Sequence, residues 1–327
     1  MSLLTTWPIQ RYEPNVFDNF QPTLDANFDF HPATARALMW ASQLAYELDT
    51  RTSQSSVEKV KTILQRWNME FVQAAPITGF PQVPLTMVSI LPAITRDALV
   101  ISGHGALIIA FAGTDPLRIQ DWLVNFSALP AATTGVSTGL SDAAALFAQR
   151  LKPIIDSHAN LKLFVTGHSL GGALGVAVAH ELSRMNCTAE AVCTYGMPRA
   201  GDGNFAATYD ARLGKRTFRF VHGDDLVPTV PPANLAGVRH QHVGWFIHCP
   251  RGGKFAVSQK SANTQSNEPV RDDDIVAGVL SQVNWVERLS TLALALLGGD
   301  LIQAIVDAAP ERIRQHLQDQ YIAALTP

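Results

Sequence analysis

Ser169 lies at the centre of Gly167-His168-Ser169-Leu170-Gly171, after the apolar run Leu161-Lys-Leu-Phe-Val-Thr166 and before Gly172-Ala-Leu-Gly-Val-Ala-Val-Ala179. The order reads as strand, tight turn and close-packed helix. A nucleophilic serine asks for that arrangement: its hydroxyl must stand out from a strained strand-to-helix turn, and glycines two residues to either side let strand and helix approach without Cβ clashes. The first N–H groups of the helix then point toward the place where an oxyanion would form. Such a serine performs acyl transfer, with an imidazole as base and a carboxylate to orient it.

The Gly-x-Ser-x-Gly pattern alone is weak, because glycine and serine are common enough to produce it by chance in roughly one chain in ten of this length. It occurs a second time here, at Gly135-Val136-Ser137-Thr138-Gly139, but behind Leu129-Pro-Ala-Ala-Thr-Thr134, which is no buried strand. Ser137 is therefore read as a loop residue and Ser169 as the nucleophile.

On a strand–elbow–helix scaffold the acid and then the base follow the serine in the chain. Asp224 and Asp225, adjacent in Phe218-Arg-Phe-Val-His-Gly-Asp224-Asp225-Leu-Val-Pro-Thr-Val-Pro-Pro232, occupy the loop after a β-type run. One of them serves as a turn residue. The prolines stiffen the far side of that loop. Candidate bases are His222, His240, His242, His248 and His316. His222 is too near the Asp pair to swing across to the serine easily. His240, His242 and His248 flank a strand-like run, where half-buried structural histidines are the ordinary expectation. His316 falls in the terminal helical segment Glu311 to Leu325, where a polar-face histidine is most often solvated. The residue types leave the base open.

The surrounding pattern supplies the scaffold. Apolar residues at helical spacing predict a helix over Pro32 to Leu48, and β-type runs occur at Met69–Val72, Leu85–Ile90, Ala106–Phe111, Leu161–Val165, Ala189–Tyr195 and Thr217–Val221. Helical segments at Ser141–Ile155, Gly171–Met185 and Asn204–Leu213 separate the later runs. Alternation of this kind predicts an α/β fold with a central, mostly parallel sheet covered by helices on both faces. Near-continuous apolarity in Ala106–Phe111 fits a strand buried on both sides.

Four motifs together resemble the fungal-type (class 3) lipase family of α/β-hydrolases: the elbow Gly-His-Ser-Leu-Gly-Gly-Ala-Leu; Ile109-Ala-Phe-Ala-Gly113-Thr114; Asp121-Trp122-Leu; and Tyr195-Gly-Met-Pro-Arg-Ala-Gly-Asp202. The likeness runs over roughly residues 33 to 250, with a further match at 316 to 325. It implies that Thr114 and the N–H of Leu170 form the oxyanion hole. In that family the acid lies in an Asp-x-Val-Pro-x-x-Pro-Pro pattern, so the resemblance implies Asp225 rather than Asp224 as the acid. A final His-x(2-4)-Tyr pattern, here His316 with Tyr321, singles out His316 as the base, with His242 or His248 as its rival. The chain departs from the pattern at Gln315, where relatives often carry Asp, and at Ala112, where they commonly carry a loop-bracing Arg. The resemblance also implies a movable lid at 116–126, whose apolar residues Leu117, Ile119, Trp122, Leu123 and Phe126 would cover an acyl groove and open at a lipid interface. A fixed helix packed on the sheet is the alternative.

From these readings follows a serine hydrolase that cleaves acylglycerol esters through an acyl-enzyme on Ser169, a triacylglycerol-type lipase with a role in lipid metabolism. The alternatives are a carboxylesterase for short soluble esters, a phospholipase A1-like enzyme and, from another class, a non-catalytic binding protein on the same fold. The expected partners are an ester substrate and, transiently, a lipid interface.

Composition closes off other classes. The chain has 327 residues, 47% hydrophobic and 16% charged, too apolar for a disordered chain, and its net charge of -3 brings no basic stripe for nucleic acid. Cys187, Cys193 and Cys249 are too few for a disulfide framework and match no zinc spacing, so they are read as buried thiols, and neither metal nor organic cofactor is implied. The expectation is one domain over 1–327, with an aromatic-rich N-terminal arm at 1–31 and an apolar helical insertion at 275–309. The stretch Ile275 to Gly299 is interrupted by Gln282, Asn284, Glu287 and Arg288, against a spanning helix. The first residues lack a basic start and an apolar core of signal type, which leaves the cytoplasm or another export route.

Overall fold

The computed structural model describes residues 6–48, 54–75, 98–114, 138–231, 233–235, 238–261 and 311–327. The lid segment with Leu117, Ile119, Trp122, Leu123 and Phe126, the loop residue Ser137, the run Leu85–Ile90 and the insertion at 275–309 lie outside the described residues.

The principal sheet has eight strands: β1 (Glu70–Ala75), β2 (Ala98–Gly103), β3 (Ala106–Phe111), β4 (Lys162–His168), β5 (Ala191–Tyr195), β7 (Thr217–His222), β10 (Trp245–Cys249) and β11 (Lys260–Ser261), hydrogen-bonded in that order. From β3 to β10 the neighbours are parallel, and antiparallel pairs close both edges. A small second sheet joins β6 (Gly201–Asp202), β8 (Asn234–Leu235) and β9 (Val238–Gln241).

Helices cover both faces, and β3 shows why. All six of its residues are buried, with Leu107, Ile109 and Phe111 in one hydrophobic cluster and Ala106, Ile108 and Ala110 in the other. The two-residue period of a strand sends alternate side chains to opposite sides, so an unbroken apolar run requires cover on both. On the first face lie α3 (Thr138–Ser157), α4 (Leu170–Arg184) and α5 (Gly203–Leu213). On the second lie α1 (Pro32–Ala45), α2 (Gln54–Arg66) and the residues before α1. Trp7, Tyr12, Phe17, Phe20 and Phe30 are buried there, Phe20 edge-on to Phe164 at 5.1 Å and Phe30 edge-on to Phe220 at 5.0 Å. The buried carboxylate of Glu47 fastens this segment, accepting from the Trp7 N–H and the Tyr12 hydroxyl and pairing with Lys59.

The sheet predicted from sequence is thus present, with differences. Strand β2 was not anticipated, and neither was α2. The C-terminal segment is not one helix: α6 (Glu311–Arg314) and α7 (Gln318–Leu325) are separated by a turn at residues 315–317, because Leu317 takes an extended backbone (ψ 147°) that no helix can continue through. Of the three cysteines, all free, Cys193 and Cys249 are buried but Cys187 is partly exposed beyond the end of α4, where packing against the core is incomplete.

Candidate active site

The parallel strands all end on one edge, where loops converge and ligands of α/β proteins ordinarily bind. β4 delivers Ser169 there, and its neighbour β3, in register through Phe111 opposite Gly167, delivers Thr114. β5 ends in Gly196 and β7 in the loop carrying Asp225.

Ser169 has φ 58° and ψ -135°, a backbone that a side-chain-bearing residue adopts at a cost of about 1–3 kcal/mol. Its N–H donates to the Tyr195 carbonyl at 2.9 Å, and α4 begins on the next residue, so the Leu170 N–H has no acceptor within the helix. The local sequence permits this turn for a steric reason: a Cβ at Gly167 would lie 2.3 Å from the Gly171 carbonyl oxygen. The same compactness holds the β3 turn, where a Cβ at Gly113 would lie 2.7 Å from the Ser169 Cβ.

Asp225 is fully buried. Its Oδ2 accepts from His316 Nδ1 at 2.8 Å and from the Tyr321 hydroxyl at 2.6 Å, while Oδ1 accepts from the Val227 N–H at 2.9 Å. A carboxylate only accepts, so the His316 proton facing it is on Nδ1 and the lone pair is on Nε2, the tautomer a general base needs. Gly196, at φ 59°, makes room for this pair, since a Cβ there would lie 2.7 Å from both Asp225 Oδ2 and His316 Nδ1.

Three buried polar atoms at this edge, Ser169 Oγ, Thr114 Oγ1 and His316 Nε2, have no hydrogen-bond partner among the described residues. Buried donors and acceptors ordinarily find partners, and groups left open in one place mark where a substrate or water supplies them. An open hydroxyl at Ser169, an open imidazole nitrogen at His316 and an open hydroxyl at Thr114 are the kinds of group that acyl transfer uses.

The other candidates are placed elsewhere. Asp224 is exposed; its N–H donates to Gln315 Oε1 at 2.6 Å and its carbonyl accepts from Arg312 at 3.2 Å. His242 donates to the Pro228 carbonyl at 2.7 Å and His248 to the Gly223 carbonyl at 2.9 Å. His240 is half-exposed on β9. His222 ends β7, its N–H donating to the Tyr321 hydroxyl. His316 itself is 1% exposed, not the solvated residue that its polar surroundings suggest, because the break between α6 and α7 turns it inward.

Sequence reasoning gave no role to Gln315, which stitches the acid loop to the base segment, to Tyr321 beyond its place in a pattern, or to Arg199. Arg199 is buried and donates to the carbonyls of Thr229 and Pro231, bracing the loop behind Asp225. An arginine directly after Gly196-Met-Pro198, four residues beyond a strand-like run, is the signal that could have found it.

Residues 108–235 match the class 3 lipase family model. Over that span the chain is similar to the class 3 lipases. A protein of Fusarium solani named secreted mono- and diacylglycerol lipase 1 is 28% identical over 209 residues, 61% of this chain and 59% of that protein. The secreted mono- and diacylglycerol lipase LIP4 of Malassezia restricta is 41% identical over 126 residues, 37% of this chain and 41% of that one. The chain thus spans about half the length of the curated relatives it matches. Among solved structures, the Yarrowia lipolytica LIP2 lipase superposes with a TM-score of 0.56 at 17% identity, covering 73% of this chain and 87% of that chain. The mono- and diacylglycerol lipase of Aspergillus oryzae gives 0.52 at 18%, covering 71% and 85%. At these identities the likeness establishes the α/β-hydrolase fold. No helix among the described residues is long and apolar enough to cross a membrane.

The core carries two buried histidines, His168 and His242, that link folding to pH. Burial, and then the nearby Arg219 and Arg199, hold the His242 pKa well below its ordinary value, and burial followed by His316 does the same to His168. In the unfolded chain both titrate near about 6.5. Below that pH the unfolded state binds more protons than the folded one, so stability falls with falling pH, by up to about 1.4 kcal/mol per pH unit for each group. Urea midpoints measured at pH 7 and pH 5.5 should show the loss. His242→Gln, which keeps an N–H for the Pro228 carbonyl, should flatten part of it; a pH-independent midpoint in the unsubstituted chain would refute the account.

Proposed function

We propose that this chain is a serine hydrolase of acylglycerol esters. The observation that carries the reading is a buried imidazole, fixed through Nδ1 on Asp225, whose Nε2 has no partner among the described residues, as the Ser169 hydroxyl at its strained strand-to-helix turn has none. His316 Nε2 takes the Ser169 proton as Oγ attacks the ester carbonyl. The oxyanion accepts from the Leu170 N–H and from Thr114. Collapse expels the alcohol, which receives its proton from His316 Nε2, and leaves an acyl-Ser169; water, deprotonated by the same nitrogen, attacks the acyl carbon, and as the Ser169 Oγ–acyl bond breaks that proton returns to Oγ and the fatty acid leaves. Asp225, bonded to Nδ1, stabilises the imidazolium.

The names of the relatives support the substrate class. Two are mono- and diacylglycerol lipases, and a Nicotiana tabacum protein, 39% identical over 93 residues, is named a triacylglycerol lipase. The word secreted in the first two names supports an exported enzyme over a cytoplasmic one.

A fluorophosphonate probe should label the chain once, on the peptide containing Ser169, and turnover should rise when long-chain acylglycerols pass from solution into an emulsion. Labelling with short soluble esters as the sole turned-over class would mark a carboxylesterase, and release of fatty acid from phospholipid alone a phospholipase. Absence of labelling would leave a non-catalytic protein on this fold.

A further inference from the structure

His168, the residue before the nucleophile, is a buried imidazole that the mechanism above does not use. It is 2% exposed, and its ring lies 4.6 Å from that of His316, tilted by 34°, with Tyr321 edge-on to it at 5.8 Å. Nε2 is 2.7 Å from the backbone oxygen of His316, and Nδ1 is 2.9 Å from the hydroxyl of Tyr46, the C-cap residue directly after α1. These partners dictate a tautomer. A carbonyl oxygen only accepts, so the proton sits on Nε2; Nδ1 then carries the lone pair and takes the Tyr46 O–H.

The backbone of His316 needs such a hold. It belongs to the turn between a helix of four residues and one of eight, with its N–H donating to Ile313 at 3.0 Å. The Asp225 bond fixes the rotation of the ring but not the main chain from which the ring hangs.

We infer that Tyr46 and His168 form a positioning pair for the base: Tyr46 sets the tautomer of His168, and the His168 Nε2–H clamps the His316 carbonyl so that Nε2 of His316 stays aimed at Ser169. The inference rests on His316 being the base. Its neutral form suits the task, because burial opposes protonation of His168 and leaves the imidazolium formed at His316 during turnover without a second cation stacked on it. The contact also ties three distant parts of the chain to one spot: Tyr46 is 122 residues from His168 and His316 is 148.

The test measures kcat and KM per fluorophosphonate-titrated site in Tyr46→Phe, His168→Leu and His168→Gln, with circular dichroism on each. Displacing a catalytic group by about an ångström costs on the order of 10²-fold. Tyr46→Phe and His168→Leu should lose kcat toward that extent with KM within about twofold, whereas His168→Gln, whose carboxamide N–H reaches toward the His316 carbonyl, should recover much of it. A merely structural role would reduce the number of titratable sites and leave kcat per site unchanged, and that result would overturn the inference, as would His168→Gln being no better than His168→Leu. Should His168→Leu fail to fold, Tyr46→Phe against the unsubstituted chain decides. Ser169→Ala run in parallel separates the failures: its retention of activity would sink the hydrolase reading itself, while an inactive Ser169→Ala beside a fully active Tyr46→Phe would sink only the clamp.

Discussion

Ser169→Ala is expected to lower ester hydrolysis by on the order of 10⁶-fold, the loss found when the nucleophile of an established Ser–His–Asp unit is removed. The chain should otherwise fold as before. Ser169 Oγ has no hydrogen-bond partner among the described residues, so deleting it breaks no bond and relieves a buried polar atom. The positive φ at this position persists in alanine, so the strain of the turn remains. A Tm equal to or slightly above that of the parent, with turnover at the blank rate and no fluorophosphonate adduct, is the combined result to look for. Turnover near the parental rate would show that the reaction runs elsewhere.

Asp225→Asn should cost about 10⁴-fold at neutral pH, comparable to the same exchange in a serine-protease triad. The carboxylate here accepts three hydrogen bonds, two at Oδ2 from His316 and Tyr321 and one at Oδ1 from Val227. A carboxamide has one oxygen and one donor. If its NH₂ takes the Oδ2 position, His316 must receive that proton at Nδ1, its own proton moves to Nε2, and the base has no lone pair for Ser169. If the NH₂ takes the Oδ1 position it confronts the Val227 N–H, and two donors face each other in a fully buried place. Either outcome also destabilises the loop, by about 1–3 kcal/mol for one unsatisfied buried group. Measuring kcat against pH together with the urea midpoint checks both halves; an Asn variant with parental kcat would show that Asp225 does not orient the base.

The difference between these two residues in the sequence is instructive. Ser169 declares itself locally, because its turn needs a strand, two close-approach glycines and a helix within a dozen or so positions. Asp225 does not: Asp224 has the same side chain and the same loop, and beyond the pattern of the resembled family only the buried position of one and the exposed position of the other separate them. His316 is harder still. Its neighbours Arg314, Gln315, Gln318 and Asp319 read as a solvated helix, and the turn that inverts the residue depends on Gln315 reaching the Asp224 N–H and on Tyr321 reaching Asp225, partners 91 and 96 residues away. Strand β2 and helix α2 escaped the sequence reading as well. Ala98–Gly103 is a short apolar run with no flanking helix pattern to frame it, and Gln54–Arg66 buries only a narrow stripe including Val60, Ile63 and Leu64.

By itself the sequence determined what short-range physics controls. Apolar periodicity built a parallel sheet with helices on both faces, and glycines at fixed offsets built an elbow that sets a serine between a strand and a helix. Tertiary structure alone decided which carboxylate and which imidazole meet, which nitrogen of His316 carries the proton, and that Tyr46 and His168 brace it. Those outcomes depend on hydrogen bonds between groups about 90 to 150 positions apart, and no periodicity along a chain encodes which distant groups will share a buried site.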